Sequence, residues 1–334
     1  MKALVIGCGS IGERHAANAA RHATVGVHDL DPARLQAAAT AAGAQAFGEL
    51  TAALAWKPDV VIVATPHRHH LPAATAAIRA GAHVLIEKPL ADTTAGVDAF
   101  LAEAARLQRR AWVVCNMRFH PGVAALRRHL PRIGRVLYAR AHYGNYLPSM
   151  RPGRDYRELY AARRADGGGV ILDAIHEIDT LTWLLGDIEA VQCAAAKLSA
   201  LDIDVEDYAT LTLSHAGGAR STVTLDYLRQ RKSRGCELIG EQGTLTWWSD
   251  GKAPERCRVT LATAGAPAVE VLEDLPDVDA QAPYAALIAA LFAELAQPGT
   301  TDLLDAATAA RELAVALTAR DAAPTLPQTG AARR

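Results

Sequence analysis

Ala3-Leu-Val-Ile-Gly-Cys-Gly-Ser-Ile-Gly12 is the stretch whose reading decides the fold. Ala3 to Ile6 is the continuous apolar run of a buried strand, and Gly7, Gly9 and Gly12 then spell G-x-G-x-x-G. Gly7 permits a sharp turn from strand into helix. Gly9 lets the backbone approach a pyrophosphate, and Gly12 lets the helix pack closely on the strand. With Ser10 and Ile11 in the loop, the Ala-rich helix from Glu13 to Arg21 offers its amino-terminal amides to a doubly charged anion. A second apolar run, Ala23 to Val27, ends at His28-Asp29, 22 residues after Gly7. An acid at that spacing accepts hydrogen bonds from the ribose hydroxyls of a dinucleotide. Its charge repels a 2′-phosphate, so NAD is expected ahead of NADP, with Arg34 near enough in sequence to leave NADP possible.

Strand–helix alternation continues to about residue 115. Asp31-Pro32 is an N-cap pair for a helix through Ala42. Ala44 to Phe47, Asp59 to Ala64, His83 to Ile86 and Ala111 to Cys115 read as strands; Leu71 to Ala80, stopped by Gly81, and Thr93 to Arg109 read as helices. The pattern predicts an α/β fold with a doubly wound parallel sheet over residues 1–118. Ligands bind such sheets at the carboxyl ends of the strands, which singles out Thr65, Pro66, Glu87, Lys88 and Asn116.

Residues 119–334 are expected to form a second α/β domain with a large, mostly antiparallel mixed sheet. Its strands are read at Val136 to Tyr146, Ala190 to Leu198, Tyr208 to Ser214, Ser221 to Tyr227, Cys236 to Ile239 and Thr244 to Trp248. One helix is expected from Val170 to Leu185, and two more over 281–296 and 301–320. The tail after Pro324 lacks periodicity and is expected to be mobile. A broad sheet of this kind often serves for self-association, so a homodimer or homotetramer is expected.

Composition excludes several classes. The chain has 334 residues, half of them apolar, with a formal net charge of −1, so it carries no basic field for nucleic acid or an anionic membrane. The amino-terminal apolar run is too short for a membrane span or a signal peptide. Cys8, Cys115, Cys193, Cys236 and Cys257 are dispersed and odd in number, as reduced thiols of a cytoplasmic protein would be. His67, His69 and His70 lack an accompanying carboxylate at ligand spacing, so no metal is expected.

Lys88 follows a strand that should end at the cofactor crevice, and a lysine there could protonate or hydrogen-bond a substrate oxygen. In the expected helix, Ile171, Ile175, Ile178 and Leu185 form an apolar stripe, while His176 and Glu177 stand three and four residues after Asp173 on the other side. That side is either a solvated face or part of a substrate pocket. Arg154 and Arg157 lie in an irregular stretch, Arg151 to Arg164, whose guanidinium groups suit a phosphate or carboxylate.

Taken together, these motifs resemble the glucose–fructose oxidoreductase / inositol dehydrogenase / rhizopine-catabolism (Gfo/Idh/MocA) oxidoreductases over nearly the whole chain. The resemblance rests on Gly7 to Gly12 with Arg14-His15, Ala64-Thr65-Pro66 with His70, Glu87-Lys88-Pro89-Leu90, Asn116 to Pro121, and Gly167-Gly-Gly with Asp173, His176 and Asp179. It implies NAD(P)-dependent oxidation or reduction of a CH–OH carbon in a sugar, cyclitol, sugar acid or nucleotide sugar. It implies Lys88, Asp173 and His176 as catalytic residues. The same three residues and Arg118 would meet the carbohydrate-type substrate, and His70, Glu87 and Asn116 would serve the cofactor. The family's D-x-x-x-H is here D-x-x-H, which leaves Glu177 as an alternative partner for His176. Two alternatives stand beside it: glycoside hydrolysis or elimination through transient sugar oxidation, which uses much the same residues, and NAD(H)-responsive binding without catalysis, which needs neither Lys88 nor His176.

Overall fold

Four apolar residues of β1 (Lys2–Ile6) are buried, and the first half of the chain is laid out on either side of them. The computed structural model describes residues 1–251 and 255–322. The tail after Pro324 lies outside the described residues. The chain divides into two units. One comprises Met1–Phe119 and Gln281–Leu313; the other comprises His120–Ala280 and the chain from Ala314 onward.

In the first unit, β1 is followed by α1 (Ser10–Ala19), β2 (Thr24–His28), α2 (Pro32–Ala42), β3 (Gln45–Phe47), α3 (Leu50–Ala55) and β4 (Val60–Val63). Then come α4 (His70–Arg79), β5 (His83–Ile86), α5 (Val97–Arg106) and β6 (Ala111–Val113). Asp31 caps α2 as its sequence implies, accepting the amides of Ala33 and Arg34, and Gly43 ends that helix in the left-handed conformation. These six strands pair in parallel in the order β6-β5-β4-β1-β2-β3. Strand order reverses at β1 and β4, the place in such sheets where a crevice opens for a ligand.

The second unit contains α6 (Pro121–His129), β7 (Val136–Gly144), α7 (Val170–Asp173), α8 (His176–Leu185), β8 (Ile188–Ala196) and β9 (Tyr208–His215). It continues through β10 (Arg220–Asp226), β11 (Ser233–Gly240), β12 (Gly243–Ser249), β13 (Glu255–Thr263) and β14 (Glu270–Val278). Its eight strands run β14-β13-β12-β11-β7-β10-β9-β8, antiparallel except for β10 beside β7. Ala139, Ala141, Leu211, Leu213, Val223, Leu225, Leu238 and Leu245 turn to one buried face, on which α6 and α8 pack. Tyr138, Arg140, Thr212, Thr222 and Thr246 alternate onto the other face, which keeps partial exposure.

Three expectations change. The single helix from Val170 to Leu185 is two helices, broken at Ala174 and Ile175, where Ala174 leaves helical geometry with φ −98° and ψ 31°. The strands β13 and β14 were not anticipated. β14 is charged and holds Pro276, which a sheet tolerates at an edge, and β14 is the edge strand. Finally, residues 281–313 belong with the first unit, not with a second domain running from 119 to the end. The helix α9 (Ala282–Ala296) buries Leu287, Ile288, Leu291 and Phe292 in one cluster with Ala3, Val5, Ala16 and Val27. Phe292 also stacks on His22 at 5.2 Å between ring centres. The strand β15 (Leu304–Asp305) then pairs antiparallel with β6, and α10 (Ala306–Ala322) follows.

Truncating a wholly buried leucine removes its contacts and leaves a cavity. Leu291→Ala should therefore destabilise the protein by about 2–5 kcal/mol in urea unfolding. A loss below about 1 kcal/mol would make α9 a peripheral attachment.

Candidate functional site

At the end of β1 the chain turns through Gly7, whose φ of +95° few side chains tolerate and where a Cβ would meet the Ala64 carbonyl oxygen at 2.6 Å. A Cβ on Gly12 would lie 1.8 Å from the Gly7 carbonyl oxygen, so this residue sets how closely α1 approaches the strand. Over Gly9 the space is open, with no atom within 4 Å of a Cβ position. No side chain caps the start of α1, so its first amides remain available to an anion. An open cradle with uncapped amides fits the diphosphate of a dinucleotide.

Asp29 follows β2, half-buried. Its Oδ2 accepts the Cys8 amide at 2.6 Å and its Oδ1 accepts the Asp31 amide at 2.8 Å. The carboxylate is thereby fixed beside the glycine turn, and each oxygen keeps a further lone pair for a hydroxyl. Arg34 pairs with Asp31 at 3.4 Å, both well exposed. Leu30, 90% exposed directly after the acid, offers apolar surface that no sequence motif announced. The Cys8 thiol is pushed up to about 12 by burial and then by Asp29 and Glu13, which makes it unreactive.

The other expected positions of this unit stand at the ends of β4, β5 and β6. Thr65 keeps a buried hydroxyl with no hydrogen-bond partner among the described residues. His70 is wholly buried, with Nε2 2.8 Å from the Thr65 carbonyl oxygen and Nδ1 2.9 Å from that of Pro89. It therefore supports these loops from beneath. Glu87 Oε1 lies 2.7 Å from His15 Nε2, and Glu87 Oε2 accepts the Lys88 amide at 3.0 Å. Lys88 is half-buried and joined to Pro89 by a cis peptide bond. Asn116 is buried after β6. Arg118 is buried too; it donates to the Asp302 carbonyl at 3.3 Å and lies 4.0 Å from Glu312, so its guanidinium is engaged within the unit.

In the second unit Asp173 ends α7 and His176 begins α8. The solvated-face alternative fails here: His176, Glu177 and Asp179 are 9%, 4% and 1% exposed, and only Asp173 is half-buried. Two phenols donate to Asp173: that of Tyr160 to Oδ1, and that of Tyr227 to Oδ2 at 3.3 Å. Burial, followed by the charge of Asp173, raises both the Tyr227 and Tyr143 phenols well above their ordinary values, so both stay protonated donors. Arg234 of β11 donates to Glu177 Oε1 at 2.6 Å and lies over the Tyr143 ring at 5.3 Å. Glu177 thus gives Oε1 to an arginine. Glu206 accepts the Ile171 amide at 3.2 Å and thereby holds the first turn of α7.

The arginine-rich stretch is a succession of short 3₁₀ turns at Tyr156–Glu158, Tyr160–Ala162 and Arg164–Asp166. Arg157 is forked onto Asp155, whereas exposed Arg154 makes no side-chain hydrogen bond among the described residues. Tyr227, Tyr143 and Arg234 carry no sequence signal, because they reach the Asp173 region from strands far along the chain. Among the described residues, no group of three or more His, Cys, Asp or Glu side chains is arranged to hold a metal, and no helix is long and apolar enough to cross a membrane.

Residues 1–115 match a family model described as oxidoreductase family, NAD-binding Rossmann fold, and residues 130–246 match the GFO/IDH/MocA C-terminal domain. A 1,5-anhydro-D-fructose reductase of Ensifer adhaerens is 33% identical over 195 residues, 56% of this chain and 56% of that protein. An inositol 2-dehydrogenase of Burkholderia cenocepacia (strain HI2424) is 30% identical over 286 residues, 81% of this chain and 79% of the relative. The chain spans about half the length of the first curated relatives, 56% and 43%. Among solved structures, UDP-N-acetylglucosamine 3-dehydrogenase GnnA from Acidithiobacillus ferrooxidans matches with a TM-score of 0.79 at 25% identity, covering 97% of each chain. Both halves of the fold and the length of these matches make the chain a member of the Gfo/Idh/MocA oxidoreductase family.

Proposed function

We propose that this protein transfers a hydride between NAD and a secondary alcohol or ketone of a sugar, cyclitol, sugar acid or nucleotide sugar. One observation carries the reading. The glycine turn, Asp29, Thr65 and Lys88 stand at the carboxyl ends of four neighbouring parallel strands, β1, β2, β4 and β5. The residues at Gly7, Gly9, Ser10, Ile11 and Gly12 would hold the diphosphate and Asp29 the ribose, with Thr65, Pro66 and Asn116 farther along the same edge. When bound, the nicotinamide supplies the hydride acceptor or donor. The Lys88 ammonium donates a hydrogen bond or proton to the substrate oxygen, and His176 takes up or returns a proton. Asp173, held by two phenols, contributes a fixed acceptor in the second unit.

The family relatives named above act, by their names, on anhydrofructose, inositol and a UDP-sugar. A polyhydroxylated ring is the shared chemistry, and Arg154 adds a guanidinium for a carboxylate or phosphate on it. Five cysteines without disulfide bonds suit a reducing cytoplasm. Self-association as a homodimer or homotetramer through the partly exposed, threonine-bearing face of the eight-stranded sheet belongs to the same reading.

The experiment is a screen of NAD reduction against sugars, cyclitols, sugar acids and nucleotide sugars. Net NADH formation supports the reading; turnover that leaves NAD unchanged would assign the site to hydrolysis or elimination. Lys88→Met should lower kcat by about a hundredfold or more while NADH affinity stays within about threefold, and near-normal turnover would remove Lys88 from the chemistry. Asp29→Ala should raise the KM for NAD much more than that for NADP; equal rises would discredit the ribose assignment. Light scattering should return at least twice the mass of the chain, and a monomer would end the self-association reading.

A further inference from the structure

Two buried histidines grip the peptide that carries Lys88. His15, on the second turn of α1, is wholly buried, and its Nε2 lies 2.7 Å from Glu87 Oε1. An ionised carboxylate only accepts, so Nε2 carries the proton and donates. The other oxygen of Glu87 accepts the Lys88 amide. Burial opposes the charge on Glu87, but the His15 hydrogen bond and then the positive charge around it, that of Lys88 included, bring its carboxyl below the ordinary range. Beyond the lysine, Pro89 presents its carbonyl oxygen 2.9 Å from His70 Nδ1, and His70 Nε2 faces the Thr65 carbonyl oxygen. Carbonyls only accept, and a neutral imidazole has a single N–H. Burial holds His70 below the ordinary imidazole value, so Pro89 and Thr65 share one proton.

We propose that His15 and His70 are positioning residues for Lys88. His15 acts through the Glu87 carboxylate and His70 on the Pro89 carbonyl, fixing both sides of the lysine against α1 and the loop that follows β4. The inference rests on the reading of Lys88 given above, since neither ring is exposed to meet a substrate. It explains why the lysine peptide is tied to the helix of the glycine turn and to Thr65 by side chains that face no solvent. Rigid placement of a proton-handling group within a fraction of an ångström is worth orders of magnitude in rate.

The test compares four full-length variants. His15→Leu removes the donor to Glu87, whereas His15→Gln places an amide N–H near the position of Nε2. His70→Asn places an amide near Nδ1 and keeps the Pro89 bond; His70→Gln reaches toward Thr65 and loses it. With a substrate from the NAD-reduction screen, His15→Leu should lower kcat by about tenfold or more with NADH affinity within about twofold, and His15→Gln should recover most of the loss. His70→Asn should retain more turnover than His70→Gln. Matched losses within each pair, or NADH affinity falling in step with turnover, would reduce the histidines to space-filling. Thermal unfolding identifies a variant that fails to fold, and the two amide variants at position 70 then decide. A second readout needs no substrate: the pH dependence of Lys88 acetylation by acetic anhydride, read by mass spectrometry. It should shift in His15→Leu and His70→Gln and overlay the parent in His15→Gln and His70→Asn. Overlay in all four variants overturns the proposal, whether or not Lys88 proves to act in turnover.

Discussion

No side chain can stand between Gly12 and the Gly7 carbonyl, since a Cβ there would come within 1.8 Å of the oxygen. That single contact lets α1 start immediately at the end of β1, with its amides turned outward over the open space at Gly9. Everything proposed for the first unit depends on it. The Asp29 carboxylate is held by an amide of the same turn, and His15, which reaches Glu87, is on the helix that the contact places. A shift of α1 by the width of a methyl group would disturb the anion cradle and the support of Lys88 together.

The second unit meets a different constraint, because it buries charged groups and must satisfy them. Glu177 is offset by Arg234, Asp173 by two tyrosines, and Glu206 by the backbone at the start of α7. A buried carboxylate without such donors would cost several kcal/mol. The partners come from the arginine-rich turns, from the residue that follows β10 and from β11, so the geometry around Asp173 is set by the sheet and its connections and not by the helix that carries it. Because the helix restarts at His176, the spacing of Asp173 and His176 is not that of a continuous helix, and the family's D-x-x-x-H loses its meaning as a helical wheel here.

Family membership leaves the substrate open, and in the proposed reading the glycine turn, Lys88 and His176 serve the cofactor and the proton without selecting a particular ring. The same reading leaves substrate choice to the arginine-rich turns, where Arg154 is exposed and Tyr160 bonds to Asp173. Loops of this kind vary while a rigid sheet holds the chemistry in place.

The local rules were legible in the amino-acid string. Buried strands, the glycine turn, the Asp31 cap and the alternation of the Rossmann half all follow from neighbours a few residues apart, and so do most strands of the second sheet. Tertiary packing decided what depends on distant chain. It joined α9 to the first core, bound Glu177 to an arginine 57 residues away, clasped Asp173 between tyrosines 13 and 54 residues away, and set His15 on a glutamate 72 residues away. Periodicity reports which side of an element is apolar, whereas the partner of a buried polar group is chosen by where the folded chain brings a matching donor.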